Sequence, residues 1–471
     1  MTVLCALALV VFMVNPIQAE VQNIKVGGDL QVYGVTEADY DLDNAANSSG
    51  DTTDGGGDYL TSYVRLYLSA DMTDNVAAYI RLINERDWGD NTALGTAAPN
   101  TGVVNPATDR TDLHVDLDLA YVTFKDVLGY PLTVTVGRQE LFYGEGFLIA
   151  DGEVYTASGT YEYDLRKSFD AIRASIDLKP FTVDLFTAKF IETVLQASQD
   201  CDLYGVNVTY DYLDQATFDV GLFATNYHPE LVLNTTTATA NSADDDCYTI
   251  SVRGEGEPLP QLIPGLFLKG ELAYQWGDKL EEVHITDRDA WGGYGGAEYL
   301  FDFFMEPYIK TNLVIMTGDK TYGDSKHQKF EPLFSGEVYG LIANDRDILG
   351  LNEATRASRS DLTGEAMTNM RIFSLGGGLK PTESTKVGLT WYNYDVQNKW
   401  VNARGSNFGD ELDITFDYDY TEDVRLGMTI AVFDPAGKDL SLDTSKEGIP
   451  ATTRDRDDTA TQVVGSLKVS F

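Results

Sequence analysis

One feature constrains this chain more than any other: apolar and polar residues alternate with a period of two, in segments of about ten residues, from Ile24 to the final Phe471. Leu60, Val64, Leu66 and Leu68 alternate with Thr61, Tyr63, Arg65 and Tyr67. Leu412, Ile414, Phe416 and Tyr418 alternate with Glu411, Asp413, Thr415 and Asp417. A period of two is that of a β-strand with one greasy and one polar face. The pattern predicts strands near 24–35, 59–70, 75–86, 113–125, 132–142, 168–179, 181–192, 201–213, 216–227, 247–256, 265–276, 289–301, 303–318, 369–380, 384–395, 410–421, 423–434 and 460–471. That is about 18 strands, an even number, as a closed antiparallel barrel of the bacterial outer membrane requires.

The connections carry independent information, because they alternate between tight and long. Asp71–Asn75, Asp126–Pro131, Lys179–Pro180, Asp214–Gln215, Pro381–Glu383 and Glu422 are tight. Thr36–Asp58, Asp87–Asp112, Tyr143–Lys167, His228–Asp246, Asp319–Thr368 and Pro435–Thr459 are long. Short periplasmic turns and long extracellular loops have this rhythm. An open sheet edge in lipid would leave backbone groups unpaired at several kcal/mol each, so the first and last strands are expected to close the ring. The closing strand ends in Phe471 after Val463, Leu467 and Val469, a pattern similar to the signal read by the outer-membrane assembly machinery. The fold class expected is therefore all-β, a transmembrane antiparallel barrel over residues 20–471, surrounded by outer-membrane lipid and lipopolysaccharide.

Residues 1–19 read as a signal peptide. Val3 to Val14 is apolar, Asn15 and Pro16 break the run, and Ile17-Gln18-Ala19 precedes Glu20. No later stretch approaches the roughly 20 apolar residues of a spanning helix. The 27 Tyr and 21 Phe suit aromatic girdles at the two lipid–water interfaces. A net charge of −40 excludes nucleic acid as a partner, because phosphates demand Lys and Arg. Behind the leader, Cys201 and Cys247 form a candidate disulfide; their strands are two apart, so they meet only if the loops bend. No metal and no cofactor is expected. The acidic run Asp39, Asp41, Asp43, Asp51 and Asp54 reads as a solvated loop, because its spacing is not that of an EF-hand. The chain lacks G-x-S-x-G, H-E-x-x-H and a P-loop, and its four histidines are His114, His228, His284 and His327. His284 near Asp287 in an outer loop is a solvated residue rather than a protease centre, so no enzyme is expected.

Strand parity assigns the polar face to the lumen. Basic residues expected to line it include Arg65, Arg81, Arg173, Arg253, Lys269, Lys310, Arg371 and Arg425, with Asp116, Asp118, Glu271, Glu411 and Asp413 as inward acids. Arg138 follows Gly137 and breaks the local parity, so a bulge is expected to turn it inward. Such charges either pair across strands and fill a wet lumen, or form a track with Tyr beside it for an anionic polymer or sugar.

Several fragments resemble the alginate export family of outer-membrane porins. Gly137-Arg138-Gln139 is similar to its G-R-Q element, and Phe169-Asp170 with Ile172-Arg173 to its F-D-x-[apolar]-R strand. Gly318-Asp319 followed by Phe330 and Pro332-Leu333-Phe334 resembles its G-D…F-x-P-L-F loop. Gly409-Asp410-Glu411-Leu412-Asp413, then Phe433-Asp434-Pro435-Ala436-Gly437, resembles its G-x-E-x-D…F-x-P-G ending, with one residue inserted before the Gly. The resemblance implies an 18-stranded monomeric barrel that passes a polyuronate, with Arg138, Arg173, Glu411 and Asp413 lining or bracing the conduit. Alternatives from other classes are a general small-solute porin and a barrel scaffold housing a partner protein.

Overall fold

The computed structural model describes residues 22–40, 42, 57–88, 115–150, 168–191, 201–212, 215–227, 245–281, 284–320, 324–336, 339–343, 367–398, 406–436 and 458–471. The leader, the loop acids Asp41, Asp43, Asp51 and Asp54, His114 and His228 lie outside them.

The strands are β1 (Gln22–Ala38), β2 (Asp58–Thr73), β3 (Val76–Asp87), β4 (Asp116–Phe124), β5 (Leu132–Gln139), β6 (Phe169–Asp177), β7 (Phe181–Ile191), β8 (Cys201–Tyr212), β9 (Ala216–Tyr227) and β10 (Asp245–Gly256). They continue as β11 (Leu266–Glu281), β12 (His284–Leu300), β13 (Tyr308–Met316), β14 (Lys326–His327), β15 (Met370–Thr382), β16 (Thr385–Val396), β17 (Asn407–Asp419), β18 (Val424–Pro435) and β19 (Ala460–Ser470). All 19 belong to one sheet; β14 is a two-residue segment lying parallel to β12, which leaves 18 antiparallel strands around the ring. No α-helix occurs among the described residues.

The ring closes between β1 and β19, in register from Asp29 opposite Ser470 to Ala38 opposite Thr461. The Gly28 N–H donates to the Phe471 carbonyl at 2.9 Å, and the Phe471 N–H donates back at 3.0 Å. Among the described strands none of the 18 in the ring is left with an unpaired edge, which is what hydrocarbon demands.

Parity follows the sequence. Leu60, Leu66, Leu68, Ile80, Leu82, Leu222, Leu272, Leu389 and Ile414 are exposed on the outer face, although each is large and apolar. That belt is explained only by lipid contact. One stretch departs from expectation. The segment 277–288 reads as a loop because it is rich in charge, yet β11 and β12 continue through it to pair Glu281 with His284. Lys279 and Arg288 face inward there and find buried acidic partners, so the charges support the strand rather than end it. His284 accordingly stands in a strand, not in an outer loop.

The face assignment predicts unequal costs. Leu222→Arg, on the outer face, is expected to destabilise the folded barrel by about 2–4 kcal/mol, and Thr415→Arg, on the inner face, by much less. Urea titration of the protein folded into lipid vesicles measures both; equal costs would contradict the assignment.

Candidate functional site

The inner wall is built from ion pairs. Arg65 binds Asp29 at 2.7 Å, and Asp29 also accepts from Gln31 at 2.8 Å. Arg81 bridges Asp118 at 2.5 Å and Glu140 at 2.6 Å. A register shift in β4 opposite Arg81 and Leu82 supplies the extra residue that brings the Asp118 carboxylate in. Arg173 meets Asp184 at 2.5 Å, with its guanidinium carbon 5.8 Å from the Tyr143 ring centre. Arg253 binds Asp219 at 2.7 Å and contacts Glu255, while Lys269 contacts Glu145. Arg425 pairs with Asp419 at 2.6 Å.

Two segments beyond the strands fold into the ring at its long-loop half. The first, residues 140–150 after β5, buries Leu141, Phe147, Leu148 and Ile149. The second, residues 330–336 and 339–343 after β14, buries Phe330, Leu333, Phe334, Leu341 and Ile342. They bond to each other: the Phe334 N–H donates to the Leu148 carbonyl at 2.7 Å, and the Ala150 N–H to the Phe334 carbonyl at 2.9 Å. Phe147 stacks on Phe330 at 5.6 Å and meets Tyr294 of the wall edge-on at 5.5 Å. Phe169 of β6 meets Phe334 edge-on at 5.3 Å. Burial raises the pKa of the Tyr143 hydroxyl above the ordinary phenol value, so this residue stays neutral where it packs on Phe186.

Charged groups fasten both segments. Glu331 sits between Lys279 and Arg288, at 3.0 Å from each, and Asp245 completes the group at 3.0 Å from Arg288 and 3.4 Å from Lys279. All four side chains are at most 6% exposed, so the charges offset one another within the protein rather than in water. Further along, Glu411 accepts the N–H groups of Ile342 and Ala343 at 2.7 and 2.8 Å and the Tyr394 hydroxyl at 3.2 Å. Gly340 lets the segment pass: its φ is +87°, and a Cβ there would lie 2.1 Å from the Tyr394 oxygen. Asp413 is buried beside Glu411 on the same face.

The structure places Arg65, Arg81, Arg173, Lys310, Glu411 and Asp413 on the inner face, as parity requires. Arg138 and Arg371 lie on the outer face instead. Gly137 does take a φ of +124°, yet Arg138 remains opposite Ala120 and Asp170, on the face away from Arg173, and reaches Asp170 at 3.3 Å. Arg371 alternates with the buried Ile372 and shares the exposed side of Phe373 and Leu375, where it contacts Asp395. Cys201 and Cys247 are buried and are not joined by a disulfide. β9 runs between their strands, and two interstrand steps of about 4.8 Å each exceed the reach of a disulfide.

The other half of the lumen, toward the short turns, is polar. Lys310, Lys386 and Lys468 are exposed on its inner face, and no ion pair holds them among the described residues. Glu298 and Asp417 stand across from Lys310 and Lys386 in register. Lys386, Lys468 and the Lys279–Arg288–Asp245–Glu331 group are absent from the sequence reading. Parity within the expected strands points to the first two; the group is hidden in the sequence because the charge-rich segment 277–288 looks like a loop while it forms the end of the β11–β12 hairpin.

A closed barrel with a lipid-facing apolar belt, a polar inner wall and inward-folded loops is an outer-membrane channel of the porin type. More particularly, the chain belongs to the alginate export family, whose model (Alginate export) matches residues 43–439. Its short turns are therefore periplasmic and its long loops extracellular. No curated protein matches the sequence. Among solved structures, the chain is similar to OpdK of Pseudomonas aeruginosa, with vanillate, at 10% identity and TM-score 0.52, covering 95% of this chain and 99% of that one. It is also similar to OccK8 (OprE) of the same organism, at 12% identity and TM-score 0.52, covering 95% and 98%. A BenF-like porin from Pseudomonas fluorescens Pf-5 matches at 11% identity and TM-score 0.52, covering 96% and 99%. At these identities the likeness concerns the fold.

Glu331→Ala would leave Lys279 and Arg288 buried with one acid fewer, a change expected to cost about 3–5 kcal/mol. The substitution should free the second segment, raising its cleavage by added protease and the single-channel conductance while the barrel stays folded. Unchanged cleavage and conductance would show that Glu331 does not hold the segment.

Proposed function

We propose that this channel carries anionic, sugar-type solutes, uronate oligomers among them, by passive diffusion, as a monomer and without covalent chemistry. The observation that carries the reading is the trio Lys310, Lys386 and Lys468. The arginines of the wall are bound to carboxylates and contribute little net field, whereas these ammonium groups are exposed to whatever enters the lumen. Membership of a family described by alginate export agrees with a route for polyuronates. Glu298 and Asp417 temper the field, so the preference for anions is moderate. The packed extracellular half favours a second reading, in which single small solutes pass and polymers do not. Of the membrane's components, lipopolysaccharide would meet the outward Arg138 and Arg371.

The test is the reversal potential of single channels in a salt gradient. The native protein is expected to favour anions, and the triple change Lys310→Glu, Lys386→Glu, Lys468→Glu to move the potential to the cation side. Arg138→Glu should leave it where it was. Cation preference in the native channel would reject the reading. Passage of galacturonate alone, with its hexamer excluded, would select the second.

A further inference from the structure

Three tyrosines form a row across the inner face of β2, β3 and β4. Tyr67 and Tyr79 stack with centroids 6.1 Å apart and planes 18° apart; Tyr79 and Tyr121 do so at 5.2 Å and 22°. Gly27 of β1 makes room at one end, since a Cβ there would come within 2.3 Å of the Tyr67 oxygen. Arg65 and Arg81 flank the row, which lies on the periplasmic side of the inward-folded segments.

The hydroxyls of these rings face the lumen in sequence across three strands. Several other tyrosines of the barrel donate to protein acceptors: Tyr33 to Gln31 at 2.6 Å, Tyr59 to Glu37 at 3.0 Å, Tyr394 to the Tyr339 carbonyl at 2.8 Å. Among the described residues, no protein group bonds the hydroxyl of Tyr67, Tyr79 or Tyr121. The charged groups around them, Asp29, Arg65, Arg81, Asp118 and Glu140, are all engaged with one another. Cross-strand packing accounts for the rings, and phenylalanine would serve it equally. It does not account for three half-buried phenol groups held at steps comparable to one sugar residue.

We propose that this row is a saccharide-binding subsite, in which the three phenol hydroxyls exchange hydrogen bonds with the ring hydroxyls of a sugar chain. Mutual stacking fixes the groups before the ligand arrives, so little side-chain freedom is lost on binding. The row reads hydroxyls and not charge, so it takes neutral and acidic sugars alike. The lysines on the wall then add a preference for the acidic ones. The proposal rests on the reading of the channel as a route for sugar-type solutes, and adds where such a chain is held.

Titration calorimetry of the full-length protein in detergent tests it, with maltohexaose as the neutral probe and the galacturonate hexamer as the acidic one. The triple change Tyr67→Phe, Tyr79→Phe, Tyr121→Phe keeps the stack and is expected to weaken both by about tenfold. Lys310→Gln, Lys386→Gln, Lys468→Gln together should weaken only the acidic probe. Should the triple Phe protein not fold, Tyr79→Phe alone is expected to weaken both by about threefold. Unaltered affinity in the Phe variant overturns the subsite and leaves the anionic-solute reading standing. A native protein that binds neither probe also overturns the subsite, while the reversal potential decides the anionic-solute reading separately.

Discussion

Backbone hydrogen bonding in hydrocarbon governs everything else in this molecule. A peptide group that faces lipid unpaired costs several kcal/mol, and a sheet avoids that cost only by joining its two edges. The bonds between Gly28 and Phe471 and the ladder from Asp29 to Ala38 are that joint. Once the ring exists, alternation assigns every side chain to lipid or lumen. The charged and aromatic residues that matter for transport are thereby gathered on one surface from positions hundreds of residues apart.

That surface divides into two compartments. On the extracellular side the barrel encloses an apolar core of its own, where Phe147, Phe330 and Phe334 are withdrawn from solvent almost completely. On the periplasmic side the wall is wet, and cations alternate with acids. The distribution of ion pairs explains how a chain of net charge −40 can still present a positive feature to a solute. Arginines are consumed by structural contacts with Asp29, Asp118, Asp184 and Asp219, and Lys310, Lys386 and Lys468 are left over. This division fits the chemistry of the two side chains, since the planar guanidinium suits fixed carboxylate pairs and the ammonium remains mobile and hydrated.

The ring itself was legible in the sequence, because period-two alternation and tight turns are local properties. All 18 spanning strands fall where the alternation of residues such as Leu60 to Leu68 puts them. What lies inside the ring was less so. The fragment Phe330 to Phe334 is a short apolar run within a long loop, and nothing local says that it turns into the lumen. Arg138 shows the opposite failure. Gly137 was expected to rotate the next side chain inward, yet the register with Ala120 and Asp170 continues past it unchanged. Pairing partners, which are distant in sequence, decide the face of Arg138 and Arg371. The same holds for Lys279 and Arg288, whose charges look like loop until Glu331 is brought between them.

The way the two inward segments are held bears on how the protein matures. Glu145 needs Arg253 and Lys269 from β10 and β11, while Ile342 and Ala343 need Glu411 from β17. Neither set of partners stands opposite its segment until the wall between them is complete. Each segment is therefore fastened only after the strands between it and its partners have joined the sheet, so the interior of the barrel is secured later than the stretch of wall that holds it.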